Sequence, residues 1–143
     1  MDLILWRHAD AVDHLPDLSR ELSAKGKKQA GKMADWLASQ LADDATLIAS
    51  GALRAQQTLA ALGRDFRIET KLNPGAHPQT YLQLANEGTT VIVGHQPEIG
   101  RAISLLLNGE DRAISVKKSS LWWFVGQHGQ WELRTMRTPE QLA

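Results

Sequence analysis

Cysteine is absent from the 143 residues, and its absence removes disulfides, thiolate metal centres and cysteine nucleophiles from the chemistry open to the chain. Nothing in it needs an oxidising compartment, and a cytoplasmic location is the expectation. An excess of one charge is missing as well. Sixteen basic residues balance sixteen acidic ones, so no overall field draws the molecule to nucleic acid or to an anionic membrane, and any anion site has to be local. No apolar run approaches the roughly 20 residues of a membrane span. The first residues carry an acid, Asp2, where a signal peptide would be basic, and their apolar run stops at Arg7. Linkers, repeats and low-complexity segments are lacking too, and one domain over residues 1–143 is expected from the length.

What the chain does contain is an alternation of short apolar runs and amphipathic stretches. Residues 3–6 are apolar and end in charge, as befits a strand covered on both faces. After Ser23, a candidate N-cap, Ala30, Met33, Ala34, Leu37 and Leu41 recur at helical spacing. Residues 46–49 read as a second buried strand. Ser50-Gly51 then opens a helix through Leu53 and Leu59 that stops near Gly63. A brief strand is expected over 66–69 and a short helix over 79–86. A β-branched strand over 89–93 is broken by Gly94-His95-Gln96-Pro97 and followed by a helix ending before Asn108-Gly109. Residues 119–125 and 130–136 form a hairpin around Gly126-Gln127-His128-Gly129. The pattern predicts a three-layer α/β/α sandwich, with helices on both faces of a mostly parallel sheet and an antiparallel C-terminal hairpin.

In such sheets ligands bind beyond the carboxyl ends of the strands. The residues there are Arg7-His8, Ser50 with Arg54, and Gly94-His95. Two histidines and two arginines from three strand ends, with no carboxylate among them, suit an anion. Arginine offers a fork of donors matched to phosphate oxygens, and Arg54 falls in the first turn of a helix. Paired histidines also invite a metal, but two guanidiniums repel a divalent cation, so neither a metal nor a cofactor is expected. With phosphate held by Arg7 and Arg54, neutral His8 attacks phosphorus, protonated His95 donates to an equatorial oxygen, and water then hydrolyses phospho-His8.

The segments carrying these residues resemble a known family. Leu5-Trp6-Arg7-His8-Ala9-Asp10-Ala11 is similar to the Arg-His-Gly signature of the histidine phosphatase superfamily, which has the phosphoglycerate-mutase-like fold. Arg20-Glu21-Leu22-Ser23 with Gly26, the run from Ser50 to Thr58, and Val93-Gly94-His95-Gln96-Pro97 with Gly100 resemble further family motifs in the family's order, over residues 1 to about 107. The short, cap-less chain resembles the SixA type of phosphohistidine phosphatase. The resemblance implies His8 as nucleophile, His95 as a second catalytic histidine, Arg7 and Arg54 as phosphate clamps, and Arg20 as a further substrate-binding arginine. The implied partner is a phosphorylated protein, such as a histidine phosphotransfer domain, or a small phosphorylated substrate.

Two departures from the family pattern bear on that reading. Ala9 stands where the family usually has glycine, and a residue needing positive φ would be strained there. Residues 71–76 lack the glutamate that other branches use as proton donor, and Gln96 replaces an acid found in some. An alkoxide leaving group needs an enzymic proton, whereas a phosphohistidine imidazole leaves after protonation by solvent or a weak donor, so a P–N substrate is expected. Asp10, Asp17 and Glu98 are the nearby acids that stand against this. The alternatives are a small-molecule phosphomonoesterase and a non-catalytic phosphate-binding module. His14, His77 and His128 read as solvated loop residues, and Arg20 has a competing reading as a surface partner of Asp17 or Glu21. Trp122-Trp123-Phe124 reads as core with one exposed ring, and Lys25, Lys27, Lys28 and Lys32 as a solvated helix face. A monomer is the default.

Overall fold

A computed structural model describes residues 1–142. The sheet has six strands in the order β3-β2-β4-β1-β5-β6. The strands are β1 Asp2–Arg7, β2 Thr46–Ala49, β3 Arg67–Ile68, β4 Thr89–Gly94, β5 Leu121–Gln127 and β6 Gln130–Arg137. β3, β2, β4 and β1 run parallel, while β5 lies antiparallel to both β1 and β6. The helices are α1 Ala24–Ala38, α2 Leu53–Ala60, α3 Gln79–Gln83 and α4 Glu98–Asn108.

Alternation along β1 builds two cores. Ile4 and Trp6 pack with Met33, Leu37 and Leu59 of α1 and α2, while Leu3 and Leu5 pack with Ile99 and Ile103 of α4 and with Tyr81 of α3. That places helices on both faces, as the alternating pattern requires. Ser23 caps α1 by accepting from the Gly26 N–H at 3.0 Å. α1 stops at Ala38, with Leu41 buried just beyond it.

The element ends that differ from the periodicity do so for local reasons. α2 opens at Leu53 rather than Ser50, because the Ser50 hydroxyl is engaged with His95 and with the Ala52 N–H. β5 starts at Leu121 because Ser119 sits at φ 61 in a turn, where its carbonyl accepts from the Trp6 indole at 3.0 Å. The hairpin turn contracts to His128-Gly129, both at positive φ as a two-residue type I′ turn requires. Trp123 and Phe124 are buried on opposite faces, and Trp122 is half-buried rather than exposed.

Candidate active site

Strand register brings the histidines together. Arg7 and Gly94 are paired neighbours at the ends of β1 and β4, so the next residues, His8 and His95, leave the sheet side by side with ring centroids 5.1 Å apart. The His8 N–H donates to the Gly94 carbonyl at 3.1 Å. Ala49 of β2 pairs with Val93, which sets Ser50 beside His95 with Oγ 2.7 Å from Nε2.

Hydrogen bonds assign both tautomers. His8 Nδ1 lies 2.8 Å from the Ala9 carbonyl oxygen. A carbonyl only accepts, so Nδ1 carries the proton and Nε2 keeps a free lone pair. Ser50 Oγ accepts from the Ala52 N–H at 3.2 Å, and among the described residues His95 Nε2 is the one acceptor within reach of its own buried proton. His95 Nδ1 is therefore the N–H, and it is buried without a partner.

Both rings are held neutral. Burial lowers His8 to about 4, with the cations Arg54 and Arg7 reinforcing the shift and the Ala9 hydrogen bond opposing it. Burial, then His8 and Arg54, lower His95 to about 3. The expectation from sequence is a protonated His95 that donates. In the fold it is a neutral ring that already presents an N–H.

Two arginines complete the cluster. Arg7 donates from Nη1 to the Val116 carbonyl at 2.7 Å, and burial lowers its pKa. Arg54, 4% exposed, uses Nη1 on the Asp17 carbonyl at 2.9 Å and Nη2 on the Asp17 carboxylate at 3.1 Å. The Nε atoms of Arg7 and Arg54 have no partner, like His95 Nδ1. Three of the five buried partnerless side-chain atoms among the described residues are thus N–H donors of this cluster. Donors left so are costly unless an acceptor meets them, and an oxyanion bearing several oxygens is suited to that.

The idea that no carboxylate joins the cluster is corrected by Asp17. Burial raises its pKa, but Arg54 and Arg20 outweigh burial and hold it below the ordinary range. Arg20 is held by other partners: Nη1 is 3.3 Å from Asp17, Nη2 is 3.8 Å from Asp13, and Nε donates to the Val12 carbonyl at 2.9 Å. The pair expected of its surface reading is present with Asp17 rather than Glu21, and Asp17 links Arg20 in turn to Arg54. Only its charge reaches His8.

Ala9 is not strained. Among the described residues, the non-glycine positions with positive φ are Ser119 and His128. Ala9 is fully buried, and its N–H donates to Thr58 Oγ1 at 3.0 Å. Glycine is needed instead at Gly26, where a Cβ would fall on the Asp10 carbonyl oxygen, and at Gly94, where it would meet the Tyr81 hydroxyl. That hydroxyl accepts from the His95 N–H at 3.1 Å.

Asp10 and Asp17 are ion-paired, while Glu98 has one oxygen engaged and Oε2 buried without a partner. Asp10 accepts from Lys118 at 2.7 Å and from Ser23 at 2.6 Å, which lowers its pKa. Buried Glu98 accepts from the Gly75 N–H at 2.8 Å, tying down the 73–76 turn. Of the other histidines, His14 and His128 are exposed, and exposed His77 accepts from the Gln79 N–H at 3.1 Å. Sequence reasoning missed the supporting roles of Thr58, Tyr81 and the Val116 carbonyl, and it set Ser50 and Asp17 near the site without their partners His95 and Arg54. No group of three or more His, Asp or Glu that could hold a metal occurs among the described residues.

Comparison with known proteins gives the family and the fold. A family model described as the histidine phosphatase superfamily (branch 1) matches residues 3–77. The phosphohistidine phosphatase SixA of Escherichia coli strain K12 is 31% identical over 123 residues, covering 77% of this chain and 76% of that one. A solved structure of the protein histidine phosphatase SixA complexed with tungstate superposes with a TM-score of 0.86 at 26% identity, covering 99% of both chains. At 17% identity, a variant phosphoserine phosphatase from Entamoeba histolytica shares the fold with a TM-score of 0.78, covering 99% of both chains.

Proposed function

The chain belongs to the histidine phosphatase superfamily, and we propose that, as a phosphatase of that family, it hydrolyses protein phosphohistidine through a covalent phosphoryl-His8 intermediate. The observation that carries this reading is that three N–H donors, Arg7 Nε, Arg54 Nε and His95 Nδ1, are buried without partners on the residues that neighbour His8, whose own Nε2 lone pair is free.

The phosphoryl oxygens take those three donors. His8 Nε2 attacks phosphorus in line with the leaving nitrogen, the new P–Nε2 bond forms as the substrate P–N bond breaks, and the leaving imidazole takes up a proton from water. Charge growing on the equatorial oxygens meets preorganised donors that need no reorganisation. Because His8 Nδ1 is tied to the Ala9 carbonyl, the ring keeps its attacking tautomer, and positive charge on phospho-His8 is stabilised by that carbonyl. Water then attacks phosphorus, the P–Nε2 bond breaks, and inorganic phosphate leaves with His8 neutral again.

The leaving group follows from the acids. Asp10 and Asp17 are held ionised by Lys118 and by Arg54, so neither has a proton to give. Glu98 is committed through Oε1 to the Gly75 N–H, and without a proton from Asp10 or Asp17 a P–O bond, whose alkoxide demands a donor, is handicapped, whereas a P–N bond is not. Rates on a phosphohistidine protein and on a simple phosphomonoester, measured side by side, test the substrate. Faster turnover of phosphohistidine is expected, and faster monoester turnover would overturn it.

A further inference from the structure

The antiparallel edge of the sheet carries a second group of cations that the reaction leaves unused. Of the nine arginines in the sequence, seven reach a carboxylate or a backbone carbonyl oxygen. Arg134 and Arg137 of β6 reach neither among the described residues. Instead, the Arg134 guanidinium lies over the Trp123 ring at 4.3 Å and that of Arg137 over Trp36 at 5.0 Å.

Their placement is built into the strand. β6 pairs Thr135 with Trp123 and Leu133 with Phe124, so Arg134 is the extra residue of a β-bulge. A bulge re-aims side chains, and this one turns Arg134 onto the Trp123 face that packs against α1. Trp36, Gln40, Trp123, Arg134, Thr135 and Arg137 line a cavity of about 220 Å³ there. Arg137 Nε is buried in this region without a partner.

A guanidinium stacked on an indole spends its flat face on the ring and keeps its N–H edges free. Two such forks with no counterion repel each other, and a dianion removes that repulsion while taking their hydrogen bonds. Gln40 and Thr135 add side-chain donors. The Trp123 indole N–H is already given to Asp2 at 2.8 Å, so the ring is fixed as a platform. We infer that this pocket binds a small oxyanion of phosphate size, separately from the His8 cluster. The same chemistry comes from free phosphate or from a phosphoryl group carried on a protein.

Indole N–H resonances of the full chain during titration with inorganic phosphate, at ionic strength held constant with sodium chloride, test the inference. Saturable shifts of Trp36 and Trp123 are expected, and R134Q/R137Q should abolish them while keeping phosphatase turnover. R134K/R137K, which keeps charge and stems but not the forks, should weaken binding about tenfold. A parallel titration with a phosphoserine peptide separates the sources. Tighter binding of the peptide points to a protein-borne group, and shifts with phosphate alone point to the free ion. Shifts reproduced by chloride, or unchanged in the glutamine variant, overturn the site.

Discussion

His8 and His95 are both buried as neutral rings, and this makes two measurements depend on pH in a defined direction. Their ordinary value is about 6.5, and the fold lowers them to about 4 and about 3. Between pH 6.5 and 4 the unfolded chain binds more protons than the native one, so stability rises with pH in that window. The contribution is complete above pH 6.5 and lost as pH falls through the native values. Denaturant melts from pH 4 to 7 should therefore flatten in the double variant H8A/H95A. In kcat/KM, the acid limb should fall near pH 4, and a limb near 6.5 would show that His8 is not desolvated as described. Arg54 and Asp17 give a second pair of outcomes. Arg54→Ala should cost about 100-fold or more in kcat/KM through loss of a charged donor. Asp17→Asn keeps an acceptor for Arg54 but removes a carboxylate competing with the phosphoryl group. Inhibition by inorganic phosphate should tighten about two- to fivefold, the range for a half-exposed charge, and unchanged inhibition would remove Asp17 from that role.

Secondary elements carry the site by register and by close approach, and Gly26 shows how the two combine. In isolation, Gly26→Ala should favour α1 by about 1 kcal/mol. Its Cβ would fall on the Asp10 carbonyl, however, and Asp10 is two residues past His8, so the clash displaces the catalytic loop. A net loss of about 1–3 kcal/mol is expected, with a fall in kcat, and chemical denaturation alongside turnover reads both. The same elements show which features a sequence makes visible. His8, His95 and Arg54 were legible because they directly follow strands or open a helix, and convergence at strand ends follows from parallel topology. Asp17 was not legible as a partner of Arg54, because the contact joins residues 37 apart through an irregular segment with no periodicity. The Val116 carbonyl that orients Arg7 is a backbone group, and no side chain advertises it. Ala9 looked like a defect because the family pattern has glycine there, whereas its backbone in this fold needs no positive φ.

Taken whole, the molecule places its chemistry beyond the carboxyl ends of the central parallel strands and its spare cations at an edge of the sheet. The parallel half, β3-β2-β4-β1, presents His8, Ser50 and His95 at its carboxyl end. The antiparallel hairpin closes the other side and carries the Arg134 and Arg137 pocket. No helix among the described residues is long and apolar enough to cross a membrane. Net charge is zero, so attraction of an anionic substrate rests on Arg7 and Arg54 rather than on a global field. Acid-sensitive trapping of the phosphoenzyme is the decisive measurement. During turnover of a phosphohistidine substrate, a denaturing quench at alkaline pH and peptide mapping should place one acid-labile phosphoryl group on His8, absent from H8A. A phosphoryl group on another residue, or full turnover by folded H8A, would refute His8 as the nucleophile.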